Sequence, residues 1–488
     1  MNEYPVARTT RGPVRSRAAA DGVLAFLGIP YAAPPVGPRR FRPPTPPASW
    51  TDVRDARAYG PTAPQSPPEG PVARLLPHAE IPGDDYLNLN VWTPGTDGAR
   101  PVMVFVHGGS FTGGSGALPA YNGARLARHG TVLVTINYRL GVDGFGWFGE
   151  GTPNLGLLDQ VAALTWVRDN IGAFGGDPAN VTVFGESAGA MSVCTLLAMP
   201  AAAGLFRRAI AQSGAARCVL SLDTAARAGA RIAEILGVAA TQAAIADVPV
   251  PRLLAAQAQL AQEVANEPDP DRWGRDLAAN IMPFEPVVDG QVLPKPPAEA
   301  LRRGAGADAD ILIGTNADEG NLFFVPTGVT GQADRHALSA FVRARGYPPS
   351  LADAYRLARP AATDGELISA IMTDGFYRIP ALEVARAHRG TYVYEFAWRS
   401  PAFDGAMGAC HALELPFVFD NLADPGCAAL LGSNPPQPVA DEVHRAWAAF
   451  AATGDPGWPP YDGQHCYVRV FGGPAQPPAD DLPAWDGW

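Results

Sequence analysis

The sequence predicts an α/β fold built on a large, mostly parallel sheet covered by helices on both faces. Three observations lead there. Short β-branched runs bounded by Gly and Pro alternate with amphipathic helical stretches. One of those runs leads at once into Gly185-Glu186-Ser187-Ala188-Gly189, a pentapeptide placed between a strand and a helix. The strand series also resumes after each long helical stretch, so those stretches read as insertions rather than as separate units.

In chain order, Pro-rich punctuation over 30–47 and 61–71 disfavours helices, because proline removes an amide donor and restricts the residue before it. Both segments are expected as irregular, well-anchored loops. Val102–Val106 and Val132–Ile136 follow as strands, and Leu155–Asn170 has helical spacing. Val181–Phe184 is the strand that enters the pentapeptide, and a helix starts at Ala188. Arg208–Gln212 and Ile311–Gly314 continue the sheet. The Ala-rich stretches 221–262 and 332–367 are expected as helical insertions above it, and Asp441–Thr453 as a late amphipathic helix.

Composition narrows the function classes. The 488 residues carry 48 acidic and 37 basic side chains, a net charge of −11, which argues against nucleic acid or an anionic membrane surface as a partner. With 47% hydrophobic residues the chain can bury a large core. The longest uncharged stretch, 187–206, is interrupted by Ser192, Thr195 and Pro200, so it reads as a buried helix and its exit turn rather than a membrane span. Met1 to Pro13 has no apolar stretch of the kind a signal peptide needs. Cys194, Cys218, Cys410, Cys427 and Cys466 are odd in number and lack a Cys-x-x-Cys spacing. Free thiols in a reducing, cytoplasmic compartment are expected.

The pentapeptide carries the chemistry. Glycines on both sides of Ser187 permit a tight strand-to-helix turn that thrusts the hydroxyl into the open, and the helix N-terminus behind it favours developing negative charge. A serine nucleophile also needs a base, a group to orient that base, and donors for the tetrahedral oxyanion. Val102–Val106 runs into His107-Gly108-Gly109-Ser110-Phe111, a glycine turn past a strand end where backbone N–H groups can face a substrate oxygen.

Around these motifs the sequence resembles the type B carboxylesterases of the cholinesterase-like α/β-hydrolases, and in particular the bacterial para-nitrobenzyl esterases. The resemblance runs through Phe26-Leu27-Gly28-Ile29-Pro30-Tyr31-Ala32, Arg40-Phe41-Arg42-Pro43-Pro44, Asp85-Tyr86-Leu87-Asn88-Leu89-Asn90-Val91 and Asn137-Tyr138-Arg139-Leu140-Gly141. It continues in Asn154-Leu155-Gly156-Leu157-Leu158-Asp159-Gln160, Phe174-Gly175-Gly176-Asp177-Pro178 and the serine turn, and ends near Trp447 and Thr453-Gly454-Asp455-Pro456. Length alone suggests about three domains. The resemblance covers nearly the whole chain and implies one α/β-hydrolase catalytic domain over 1–488.

The resemblance also implies roles. The acid is Glu319 of Asp318-Glu319-Gly320, and the base is His411 of His411-Ala412-Leu413-Glu414-Leu415-Pro416-Phe417. The order Ser187, Glu319, His411 is the α/β-hydrolase order. The oxyanion donors are the N–H groups of Gly109, Ser110 and Ala188, with Gly108 shaping the turn. Ser213 corresponds to a second serine that supports the acid by hydrogen bond, although taken alone it reads equally as a core serine bonded to its own backbone. Phe111, Leu322 and Phe323 are expected in the substrate pocket, with the helical insertions supplying the rest. Tyr86 stands where disulfide-forming relatives have Cys, and ion pairs Asp84–Arg40 and Arg139–Asp159 are implied.

Three patterns are decoys. Gly144-Phe145-Gly146-Trp147-Phe148-Gly149 fits a dinucleotide fingerprint but lies past its strand and is filled with aromatics, so it is expected in a wall or loop near the active site. Asn180-Val181-Thr182 fits a glycosylation sequon at a strand entrance and is expected unmodified. Neither a His-Glu-x-x-His nor a Cys/His cluster occurs, so no metal and no cofactor are implied. The expected activity is hydrolysis of small-molecule carboxylic esters through an acyl-enzyme, by a monomer or weak homo-oligomer. Carbamate or amide hydrolysis with the same triad is the alternative, and a non-catalytic adhesion protein of the same fold is the rival from another class.

Overall fold

Ten strands form one sheet in the computed structural model, which describes residues 4–19, 22–461 and 466–474. In chain order they are β1 (Arg17–Ala18), β2 (Leu24–Pro30), β3 (Asn88–Thr93), β4 (Arg100–Val106), β5 (Val132–Ile136), β6 (Gly176–Glu186), β7 (Arg208–Gln212), β8 (Asp310–Asn316), β9 (Tyr392–Phe396) and β10 (Arg469–Phe471). Their spatial order is β10-β9-β8-β7-β6-β4-β5-β3-β2-β1. The seven from β4 to β10 are mutually parallel, and the first three pair antiparallel at one edge. The expected mostly parallel sheet is present, and the residue pattern left unread its antiparallel edge and its last two parallel strands, β9 and β10.

The helices lie as expected. Leu155–Asn170 is one helix, and Ala188–Ala198 begins directly after Ser187. The stretch 221–262 folds into Leu222–Leu236, Gln242–Ala246 and Val250–Asn266, and the stretch 332–367 into Arg335–Ala344, Ser350–Ala358 and the start of Asp364–Met372. Local sequence sets their starts. Ser221 accepts from the Thr224 N–H, and Thr363 with Glu366 forms a capping box, so first-turn amides that lack helical partners are satisfied. No described helix is long and apolar enough to cross a membrane.

Parallel strands deliver their C-terminal ends to one rim, and the loops after β4, β6, β7 and β8 carry Gly108–Ser110, Ser187, Ser213 and Glu319 there. The glycines around Ser187 are demanded by packing. A Cβ on Gly185 would lie 2.7 Å from the Val106 carbonyl oxygen, and one on Gly189 would lie 2.0 Å from it.

Of the two implied ion pairs, one forms. The Arg139 guanidinium grips both oxygens of Asp159, Nε to Oδ2 at 2.7 Å and Nη2 to Oδ1 at 2.6 Å, with both side chains excluded from water. Arg40 does not meet Asp84, which is exposed. It pairs with Asp143 at 2.8 Å and donates to the Ala246 and Val248 carbonyls, because the helix Val250–Asn266 and its approach pack over it. Replacing Asp159 with Ala strands a buried guanidinium, so a loss of about 3–5 kcal/mol is expected in urea unfolding. A loss under about 1 kcal/mol would show that Arg139 reaches water or another partner.

Candidate active site

Ser187 sits on a strained turn. Its φ of 57° and ψ of −125° lie in a region that non-glycine residues avoid, and the conformation is held because β6 ends at Glu186 while the helix begins at Ala188. The Ser187 N–H donates to the Gln212 carbonyl at 2.9 Å, which ties the turn to β7. Ser187, Gly108, Gly109, Ser110, Leu322, Phe323 and His411 all line one cavity of about 470 Å³. Glu319 and Ala188 lie buried behind its wall.

His411 Nδ1 is 2.7 Å from Glu319 Oε2, and the other oxygen of Glu319 accepts from the Asn316 N–H at 2.7 Å. The Asn316 side chain bonds the Cys410 carbonyl and Glu414, and Gln212 links Glu414 to the indole of Trp447. This chain of amides holds the acid and the histidine segment together. Ser213 does not supply the acid's support: its Oγ has no partner among the described residues, and its N–H donates to Gly314. At that position the chain turns with φ of 52°, so Ser213 and Gly214 back onto Ser187 instead, where a Cβ on Gly214 would be 2.4 Å from the Ser187 carbonyl.

The glycine turn approaches the serine closely. A Cβ on Gly108 would lie 3.0 Å from the Ser187 Cβ. The Gly109 carbonyl accepts from the N–H groups of Thr112 and Gly113, while the N–H groups of Gly109, Ser110 and Ala188 have no acceptor among the described residues. His107 Nδ1 donates to the Gly108 carbonyl at 2.8 Å, and burial pushes its pKa down to about 4, so it stays a neutral brace.

Phe111 does not line the cavity. Positive φ at both Ser110 and Phe111 reverses the chain and sends the ring into the core, fully buried and 4.9 Å from Phe145 in an edge-to-face contact. The decoy 144–149 lines no part of the cavity either: Phe145 and Phe148 are buried against Phe111 and Phe41, while 146–149 is the expected loop, exposed at Gly149. Only the first helical insertion reaches the cavity, through Leu254, Gln257, Ala258 and Ala261; the second contributes no lining residue. The opposite wall is the Pro-rich loop from Gln65 to Ala79.

Residue reasoning also passed over Glu186, the variable position of the pentapeptide. Its Oε1 lies 3.1 Å from His411 Nε2, so each ring nitrogen faces a carboxylate. Burial alone would lower the histidine pKa, but Glu186 and Glu319 outweigh it and raise it to about 9, while burial lifts Glu186 to about 8. The signal was an acid at the end of a buried strand, where a charge needs a partner. Tyr377, in a π-helical turn at Thr373–Arg378, packs its ring 4.9 Å from the imidazole and was also unanticipated.

The chain matches known proteins over nearly all of its length. Residues 3–470 match the Carboxylesterase family. This chain belongs to that family. It is 40% identical to the para-nitrobenzyl esterase of Bacillus subtilis, covering 94% of this chain and 93% of that one, and 37% identical to the phenmedipham hydrolase of Pseudarthrobacter oxydans over 99% and 98%. The crystal structure of a Geobacillus stearothermophilus carboxylesterase superposes with a TM-score of 0.82 at 40% identity, covering 95% of this chain and 96% of that one. The protein is a serine carboxylesterase with the α/β-hydrolase fold.

One consequence is a pH dependence. If His411 serves as the base, its neutral form is the active one, and because the carboxylates beside it favour the protonated form, activity is expected to fall as pH drops through the raised pKa. Removing one carboxylate charge lets the proton leave at lower pH. In Glu186→Gln the acidic limb of the kcat/KM profile is therefore expected about one pH unit or more below that of the wild type. A limb that stays in place, or moves up, would show that Glu186 does not act on the histidine.

Proposed function

We propose that Ser187 is the nucleophile, His411 the general base and then acid, and Glu319 the group that orients and charges the base. The reading is carried by one observation: His411, bonded through Nδ1 to Glu319, faces the same cavity as a serine held on a strained strand-to-helix turn. His411 takes the Ser187 proton during attack on the ester carbonyl, and the N–H groups of Gly109, Ser110 and Ala188 receive the oxyanion. The proton then passes from His411 to the departing alcohol. Water, deprotonated by the same histidine, releases the acid from the acyl-enzyme.

The substrates are small neutral carboxylic esters, and 1–488 acts as one catalytic domain, in the cytoplasm, as a monomer or weak homo-oligomer. Support for a neutral substrate comes from the cavity lining, which is rich in aliphatic side chains and has, besides His411, only His78 and Glu186 as basic or acidic side chains among the described residues, with no Lys, Arg or Asp. A fluorophosphonate probe tests the assignment. It should label Ser187 alone, and an adduct on another serine, or none, would remove the nucleophile. A panel of esters of increasing acyl length with one carbamate and one anilide then separates ester hydrolysis from the carbamate or amide alternative.

A further inference from the structure

We infer that Gln65 is a positioning residue for the oxyanion turn, and that through it the Pro-rich wall of the substrate cavity and the oxyanion donors behave as one unit. The inference rests on the assignment of the donors to Gly109 and Ser110. Gln65 is only 3% exposed, and its carboxamide is fully used. Oε1 accepts from the Gly114 N–H at 2.9 Å, and Nε2 donates to the Gly114 carbonyl at 3.0 Å and to the Ala63 carbonyl at 3.2 Å. A two-point clamp on one glycine, anchored to a different loop, fixes both position and orientation of that peptide.

Gly114 is the limb on which the donor turn rests. At φ of 97° it lies against the start of the turn, where a Cβ would sit 2.3 Å from the Gly108 carbonyl and 2.5 Å from His107 Nδ1. One residue earlier, the Gly113 carbonyl presses on Gly109, where a Cβ would meet it at 2.3 Å. With no side chains between the two limbs, the position of Gly109 and Ser110 follows that of Gly113 and Gly114. The second limb has its clamp in Gln65. Because Gln65 and the wall residues Val72, Leu75 and Leu76 share one loop, a group seated against that wall bears on the same loop that holds the donors.

Oxyanion donors act on the tetrahedral state far more than on the bound ester, so loosening them lowers kcat and spares KM. The test uses Gln65→Met, which keeps the volume and removes every hydrogen bond, and Gln65→Glu, which keeps an acceptor for the Gly114 N–H. Active-site concentration is set by fluorophosphonate titration, so misfolded protein drops out of the comparison. In Gln65→Met, kcat per active site should fall about 10–100-fold with KM within about threefold, and Gln65→Glu should recover part of the loss. A trifluoromethyl ketone, which becomes a tetrahedral alkoxide on the serine, should lose affinity by the same factor, while the matching methyl ketone should not. If the wild type shows no preference for the trifluoromethyl ketone, the oxyanion assignment fails and the role of Gln65 fails with it. If the wild type shows the preference and Gln65→Met retains it, or if both ketones weaken equally, the clamp alone is overturned.

Discussion

Ser187→Ala is expected to lower kcat by about 10⁴–10⁶-fold, His411→Ala by a similar factor, and the double variant by little more than either. In the proposed mechanism the two side chains act as a unit: without the hydroxyl the histidine has no proton to take, and without the histidine the hydroxyl remains a poor nucleophile. Residual turnover above water comes from the oxyanion donors and from binding, which neither change touches. Ser187→Ala removes one hydroxyl at the cavity wall and should leave the fold intact. His411→Ala leaves the buried Glu186 and Glu319 without the imidazole between them, so a loss of stability should accompany it and its kcat is read on the folded protein. Single-turnover rates with circular dichroism as the folding control check this, and losses that multiply in the double variant would mean that the two residues do not share a step.

Glu319→Gln is expected to lower kcat by about 10²–10⁴-fold with a much smaller change in KM. The buried carboxylate accepts from His411 Nδ1 at 2.7 Å and from the Asn316 N–H at 2.7 Å. A carboxamide can keep one of those acceptor positions but presents an NH₂ at the other, which turns the imidazole to the wrong tautomer and withdraws the charge that stabilises the imidazolium. The neighbouring Asp318 is the internal control. It accepts from the Ala409 N–H at 3.0 Å and pairs with the exposed Arg399. Asn at 318 retains the acceptor and loses only a surface ion pair, worth about 1 kcal/mol or less. Should Asp318→Asn prove the more damaging change in steady-state kinetics, the acid would have to be reassigned to it.

Much of this was legible from short-range pattern. The central strands, the helix after Ser187 and both helical insertions follow from periodicity and from capping residues, which are properties of consecutive positions. The antiparallel edge was missed, because Leu24–Pro30 and Asn88–Thr93 lack the alternation with helices that marks the centre, and the late parallel strands Tyr392–Phe396 and Arg469–Phe471 went unread as well. The misplacements in the site have a common cause. Phe111, Ser213 and Asp84 were assigned partners by their place along the chain, whereas positive φ at the first two and a competing carboxylate at Asp143 sent the actual contacts elsewhere.

By itself the sequence determined which residue occupies the turn, Ser187, and which family the chain resembles, because a strained strand-to-helix turn needs glycines at fixed offsets and such offsets are visible in one dimension. The choice of Glu319 and His411 as its partners came from the resemblance to the family, since by pattern alone each is one of many carboxylates or histidines. Only the tertiary structure decided that Glu186 faces the second nitrogen of His411, that Asn316 rather than Ser213 braces the acid, and that the loop from Gln65 to Ala79 walls the cavity. The contact between Glu186 and His411 and the wall of the cavity join segments far apart in the chain, and a partner across such a gap is fixed by how the strand ends and loops pack; the Asn316–Glu319 bond spans only three residues, and there the backbone turn after the strand decides which donor the carboxylate meets.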